Sequence, residues 1–262
     1  MNEREKLIEV RDLTIAYGDF VVQRDLEFSI NRGEVFIIMG PSGCGKSSLL
    51  KAMIGLLEPA SGDVWYGGQP FWSCDEDSRR KLAQRMGVLF QSGALWSSMT
   101  LAENVSLPLR QRSNLSAARI AEVCAWNLAL VGLTGFEDYY PNELSGGMRK
   151  RAGLARAMAM DPEILFFDEP SAGLDPVSAR LLDELILELR DSLGTTIVVV
   201  THELASIFAI GNNAVFLDTQ ARTQLAVGSP DALRDHAEHD TVRRFLRREA
   251  PKREVVADGA DA

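Results

Sequence analysis

Long apolar runs are missing from this 262-residue chain, as are an excess of positive charge and any cluster of cysteines. Apolar stretches such as Ile197–Val200 fall far short of the roughly 20 residues a helix needs to cross a bilayer, so a role at a membrane would require another chain to supply the span. Lys and Arg total 28 against 37 Asp and Glu, for a formal charge of −9. That balance opposes general nucleic-acid binding, which needs a basic surface. Cys44, Cys74 and Cys124 share no metal-ligand spacing, and an odd, scattered set fits a reducing compartment better than a disulfide framework. His236 and His239 stand three apart without a third ligand, and no metal site is assigned to them. Met1–Lys6 is polar with no apolar h-region behind it, so no signal peptide is expected. What remains, 46% hydrophobic and 25% charged residues, fits one sizeable globular domain.

Against that background one segment is decisive. Gly40-Pro41-Ser42-Gly43-Cys44-Gly45-Lys46-Ser47-Ser48 follows the apolar run Val35–Met39 and precedes the helix-forming run Leu49–Met53. A buried strand, a glycine-rich turn and a helix N-terminus together make an anion trap. Backbone N–H groups of the loop converge on a phosphate and the helix dipole favours its charge. Gly40, Gly43 and Gly45 permit backbone conformations and close approach that side chains would block. Lys46 can reach the β- and γ-phosphates of a nucleoside triphosphate, and the Ser47 hydroxyl can ligate Mg²⁺.

The flanking pattern predicts a mixed α/β core with a helical insertion. Ile8/Val10 and Leu13/Ile15/Tyr17 alternate with polar residues as strands do, and Phe28/Ile30 repeat the pattern. Glu58–Gly62 is expected to close the first helix, and Asp63–Gly68 reads as a short strand ending in a Gly-Gly turn. From about 100 to 160 strand signals are weak. Ser116 is a candidate N-cap for a helix with Ile120, Cys124 and Val131 at helical spacing. Short continuous apolar runs at Ile164–Phe167 and Thr196–Val200 read as buried parallel strands. Between them Asp175 can cap a helix with Pro176 in its first turn and Leu181, Leu182, Leu185 and Leu189 on one face. Residues 7–248 are read as one domain, with a helical subdomain over about 92–160. Residues 249–262 are read as a disordered tail.

Two further motifs carry chemistry. Ile164-Leu165-Phe166-Phe167 ends in Asp168-Glu169, and a buried parallel strand delivers side chains at its C-terminal end, where α/β ligand sites lie. Asp168 is placed to hold Mg²⁺ through water, and Glu169 to polarise a water for in-line attack on the γ-phosphate. Leu144-Ser145-Gly146-Gly147-Met148 precedes a basic helix. Ser145 can simply cap that helix, yet a second anion-type helix N-terminus is more than a turn requires.

LSGGM, standing between the phosphate loop and the LFFDEP strand, resembles the signature sequence of ATP-binding-cassette (ABC) ATPases in order and type. The resemblance covers residues 7 to about 230. It implies an ABC ATPase fold: a RecA-like phosphate-loop core with an antiparallel β subdomain and an α-helical subdomain. It also implies ATP and Mg²⁺ as cofactors. By position, Tyr17 resembles the aromatic that stacks on adenine. Gln91 resembles the Q-loop glutamine at the metal and attacking water, and Ser171–Asp175 the D-loop, with Asp175 reaching between subunits. His202 resembles the switch histidine at the γ-phosphate. In this family two cassettes meet head to tail, so Ser145, Gly146 and Gly147 of one close over ATP held by the other. With a single phosphate loop and a single signature, the unit would recruit a second copy of itself.

The segment Leu89–Arg110 departs from the commoner Leu-Phe-Pro pattern after the Q-loop. Ser92–Trp96 with Asn104–Arg110 is similar to the ATPase of Mla-type systems, which move phospholipids with an MCE-domain protein. That similarity implies a multi-span permease whose cytoplasmic helix docks near Leu95 and Trp96, and an accessory STAS-domain protein. It implies a peripheral place on the cytoplasmic face of the inner membrane, and no nucleic acid. Two alternatives stay open: the ATPase of another importer or exporter, and a soluble ABC protein acting on ribosomes or DNA. Relatives acting on ribosomes carry two cassettes in one chain and those acting on DNA carry long coiled coils or zinc hooks; this sequence shows neither feature, and its acidic charge opposes both.

Overall fold

The computed structural model describes residues 5–249, and the expected tail from residue 250 onward lies outside the described residues. In chain order the elements are β1 (Lys6–Tyr17), β2 (Phe20–Asn31), β3 (Val35–Met39), α1 (Lys46–Met53), β4 (Ser61–Tyr66), β5 (Gln69–Pro70), α2 (Glu76–Gln84) and β6 (Met86–Leu89). There follow α3 (Leu101–Arg112), α4 (Ala117–Leu130), α5 (Gly146–Met158), β7 (Ile164–Asp168), α6 (Pro176–Leu193) and β8 (Thr196–Val200). The chain continues through α7 (Leu204–Ile210), β9 (Asn213–Leu217), β10 (Gln224–Gly228), α8 (Pro230–His236) and α9 (Asp240–Arg247).

Two sheets form. One is antiparallel, in the order β2-β1-β4-β5; the other runs β10-β9-β3-β8-β7-β6, parallel except for the edge pair β9–β10. The continuous apolar runs are explained by burial on both faces of the parallel sheet. Val35, Ile37 and Met39 of β3 enter one core with α3–α9, whereas Phe36 and Ile38 enter the other, shared with α1 and the antiparallel sheet. Strands β7, β8 and β9 divide their side chains the same way.

In β1 the apolar positions change parity, from Ile8 and Val10 to Leu13 and Ile15, yet all four are buried in one core. A bulge resolves the mismatch: Asp12 takes φ 47° and the pairing with β2 shifts between Val10 and Leu13. An extra residue at this point keeps both halves of the strand facing inward.

Two local expectations are corrected. The first helix ends at Met53, before Glu58–Gly62, because Gly55 turns the chain with φ 83°. On α6 the buried face is Leu182, Asp183, Ile186 and Leu189, while Leu181 is 58% exposed; Leu181 lies about 100° round the helix from Leu182 and turns away from the core. The Asp175 cap holds: its carboxylate accepts from Val177 N and Ser178 N, both at 3.0 Å. Ser116 likewise caps α4.

Candidate nucleotide site

Strands β3, β6, β7 and β8 run parallel, so their C-terminal ends and the loops leaving them share one edge of the sheet. The Gly40–Gly45 loop leaves β3, Gln91 follows β6, Asp168 ends β7 with Glu169 just after it, and His202 follows β8. At this edge an open cleft of about 510 Å³ is lined by Tyr17, Ser42, Gly43, Gly45, Lys46, Ser47, Ser48, Gln91, Glu169 and His202, together with Phe20 and Val22.

Two glycines of the loop are required by contact. A Cβ on Gly40 would lie 2.4 Å from Leu217 O, and one on Gly45 2.6 Å from Val22 Cγ1. Both have positive φ, 148° and 93°, a region that side chains disfavour. Pro41, half-buried, and Cys44 lie within the loop between these glycines. Cys44 is buried and packs in the core, and desolvation pushes its thiol up. Its carbonyl accepts from Gln23 Nε2 at 2.6 Å, and the same amide donates to Asp218 O at 2.9 Å. Buried Gln23 thereby ties the loop to β2 and to the end of β9, a role invisible in the local sequence. Lys46 is 8% exposed and its ammonium donates to Gly40 O and Pro41 O at 2.9 and 3.0 Å, spanning the mouth of the loop. Tyr17 OH lies 3.3 Å from Ser48 Oγ. Beyond it, Phe20 stands exposed beneath the Arg222 guanidinium at 4.8 Å, a second ring that the motif reading missed.

Opposite the loop, Glu169 Oε1 and His202 Nδ1 are 2.8 Å apart. Glu169 takes φ 48°, uncommon for a side-chain-bearing residue, and such a conformation costs about 1–3 kcal/mol unless its surroundings impose it. Its N–H donates to Val200 O at 2.8 Å. The Asp168 carboxyl is pushed up by burial and by the charge of Glu169, while Lys51, the Ser47 hydroxyl and Lys46 oppose the shift. Asp168 Oδ1 and Glu169 Oε2 are buried without a hydrogen-bond partner among the described residues. Two unmatched carboxylate oxygens beside a serine hydroxyl form a set of hard oxygen donors that fits Mg²⁺.

Ser145, Gly146, Gly147 and Asp175 do not line this cleft. Ser145 caps α5, accepting from Met148 N at 3.2 Å. The two glycines pack toward Leu174 and Ser178 at the start of α6, so the signature segment and the Asp175 loop adjoin each other on a separate surface. Near the Gln91 loop, Arg156 of α5 donates to Ala94 O and Gly93 O at 2.8 and 2.9 Å. Buried Asn104 of α3 accepts from Trp96 N at 2.8 Å and donates to Trp96 O at 3.1 Å. These clamps present Trp96, 58% exposed, while Leu95 packs against the core. Of the two residues expected at a docking surface, only Trp96 is exposed. Among the described residues, no helix is long and apolar enough to cross a membrane.

The profile of the ABC transporter family matches residues 23–172. The intermembrane phospholipid transport system ATP-binding protein MlaF of Escherichia coli is 37% identical over 253 residues, covering 97% of this chain and 90% of that one. The "Probable ribonucleotide transport ATP-binding protein mkl" of Mycobacterium tuberculosis is 40% identical over 239 residues; the match covers 91% of this chain and only 66% of the relative's length. Among solved structures, a dimeric ATP-binding cassette in a post-hydrolysis state, bound to ADP and Pi, superposes with a TM-score of 0.77 at 29% identity, covering 85% of this chain and 98% of that one.

Proposed function

Because this chain belongs to the ABC transporter family, we propose that it is the ATP-hydrolysing subunit of a membrane transporter that moves phospholipids. The reading is carried by one observation: the Glu169–His202 pair, 2.8 Å apart, faces the phosphate loop across a single cleft. In that cleft Tyr17 stacks on the adenine and the Gly40–Ser48 loop, with its Lys46 ammonium, holds the phosphates. Glu169 accepts a proton from the attacking water, and His202 orients that carboxylate and meets the γ-phosphate. Ser47, Asp168 and Gln91 would hold Mg²⁺, which supplies charge neutralisation on the phosphate oxygens when bound.

The separate surface bearing Ser145, Gly146, Gly147 and Asp175 serves the nucleotide of a second copy, so two copies close head to tail around ATP. The dimeric relative supports this arrangement. Differential contact with the γ-phosphate then makes the closed pair one state of a two-state switch. The phospholipid assignment rests on MlaF matching nearly end to end and on the Ser92–Trp96 and Asn104–Arg110 segments. In this reading the chain sits peripherally at the cytoplasmic face of the inner membrane. Its partners there are a permease, an MCE-domain protein and a STAS-domain accessory.

Affinity purification from detergent-solubilised membranes tests it. The wild-type chain should recover a multi-span permease with an MCE-domain protein, and Trp96→Glu should lose both while still binding ATP. Recovery of a permease paired with a periplasmic binding protein would move the assignment to an ordinary importer, ribonucleotides included. Recovery of ribosomes without membrane protein would end the transporter reading.

A further inference from the structure

Lys150 lies in the second turn of α5, five residues after the Ser145 cap, and is 6% exposed. A buried ammonium must find acceptors. Lys150 Nζ finds two backbone carbonyls: Ala172 O at 2.6 Å and Glu169 O at 3.3 Å. The second belongs to the residue held at φ 48°. The N–H of Glu169 is fixed to β8 through Val200 O, and its carbonyl also closes a turn by accepting from Ala172 N at 3.2 Å. Lys150 is thus the one side chain that donates to the carbonyl side of this residue among the described residues. Rotation about the Glu169 backbone would swing its carboxylate away from His202, and the strained conformation persists only where surrounding contacts impose it. The same ammonium grips Ala172, three residues before Asp175.

We propose that Lys150 is a positioning residue: from the helix whose N-terminus carries the signature serine, it holds the backbone of Glu169 so that the carboxylate faces the attacking water. This rests on the reading of Glu169 as the water-activating base. It gives Lys150 a purpose beyond packing. A single helix then bears Ser145, which meets the nucleotide of the partner copy, and Lys150, which sets the base for its own. Desolvation pulls the Lys150 ammonium below its ordinary range, while the charges of Glu169 and Glu203 restore part of it, as expected of a cation enclosed beside carboxylates.

The test is a double-mutant cycle in ATP hydrolysis by the full chain in its assembled complex. Lys150→Met keeps most of the apolar stem of the side chain and removes its donors, and should lower kcat at least thirtyfold with ATP affinity within twofold of wild type. Lys150→Gln, which retains an amide donor, should recover part of the loss and serves in place of Lys150→Met if that variant does not fold. In the Glu169→Gln background, Lys150→Met should slow hydrolysis no further, because a residue acting through Glu169 has nothing left to position. A wild-type kcat for Lys150→Met, or a loss that multiplies with that of Glu169→Gln, overturns the positioning role and leaves the Glu169 assignment standing. A wild-type rate for Glu169→Gln alone overturns both.

Discussion

Replacing Glu169 by Gln exchanges one carboxylate oxygen for an amide nitrogen at nearly constant volume. The side chain is largely enclosed, and its Oε1 sits 2.8 Å from His202 Nδ1. An amide can meet either imidazole tautomer, donating from its nitrogen or accepting at its oxygen, so the substitution preserves the local packing. What disappears is the proton acceptor. A positioned general base contributes about 10²–10⁴-fold to rate, or about 2.7–5.4 kcal/mol of barrier. The phosphate-binding parts stay untouched, since the loop is held by Gln23, Lys46 and its own glycines on the far side of the cleft. Phosphate release at saturating ATP should therefore fall by at least a hundredfold, while nucleotide titration gives an ATP affinity within about threefold of wild type. Removing a negative charge near the phosphates works against any loss of affinity. With turnover blocked, size-exclusion chromatography of the assembled complex or the isolated chain in ATP should shift toward the closed pair. A rate within tenfold of wild type would refute the assignment of Glu169. A parallel tenfold loss of ATP affinity would show that the residue binds nucleotide instead of activating water.

Two other outcomes follow from the same geometry. Ser145→Arg should leave ATP binding to the isolated chain unchanged and abolish turnover, because Ser145 lies outside the cleft and, in the proposed head-to-tail pair, meets the partner's nucleotide; loss of binding by the isolated chain, measured by titration, would place the loop in its own site. Asp63 is buried and its carboxylate accepts from Val64 N, Phe71 N, Trp72 N, Ser73 N and Ser73 Oγ, so Asp63→Asn should destabilise the fold by about 2–4 kcal/mol at neutral pH in denaturant melts. Burial pushes this carboxyl up, but the bonds from Ser73, Trp72 and Val64 outweigh it and hold it below the usual range. A depressed folded pKa adds stability above the unfolded value of about 3.9, lost as pH falls through the folded value. The gap between wild type and variant should therefore narrow only in acid, and a gap unchanged down to pH 2 would contradict the account.

Much of the candidate site could be read along the chain because its motifs are local. A strand, a glycine turn and a helix start make a phosphate loop by backbone conformation alone, and Gly40 and Gly45 occupy positions where a Cβ collides. Likewise Asp168-Glu169 at the end of an apolar run needs only the strand to be buried. Capping by Ser116, Ser145 and Asp175 was equally visible, since each cap bonds within three residues.

The rest depended on which segments become neighbours. The order β9-β3-β8-β7-β6 does not follow the chain, and it is this order that sets Glu169 beside His202 across 33 residues and gives Lys150 the Glu169 carbonyl across 19. Phe20 and Val22 entered the cleft because the start of β2 lies beside the phosphate loop, Val22 against Gly45. The bulge at Asp12 and the outward turn of Leu181 came from packing too, for a periodicity gives spacing without saying which side meets a core. The amino-acid sequence by itself determined the local backbone shapes that can trap a phosphate and end a strand in carboxylates. The tertiary structure decided how those carboxylates are aimed, because aim is fixed by bonds between residues that only the stacking of distant strands brings within reach.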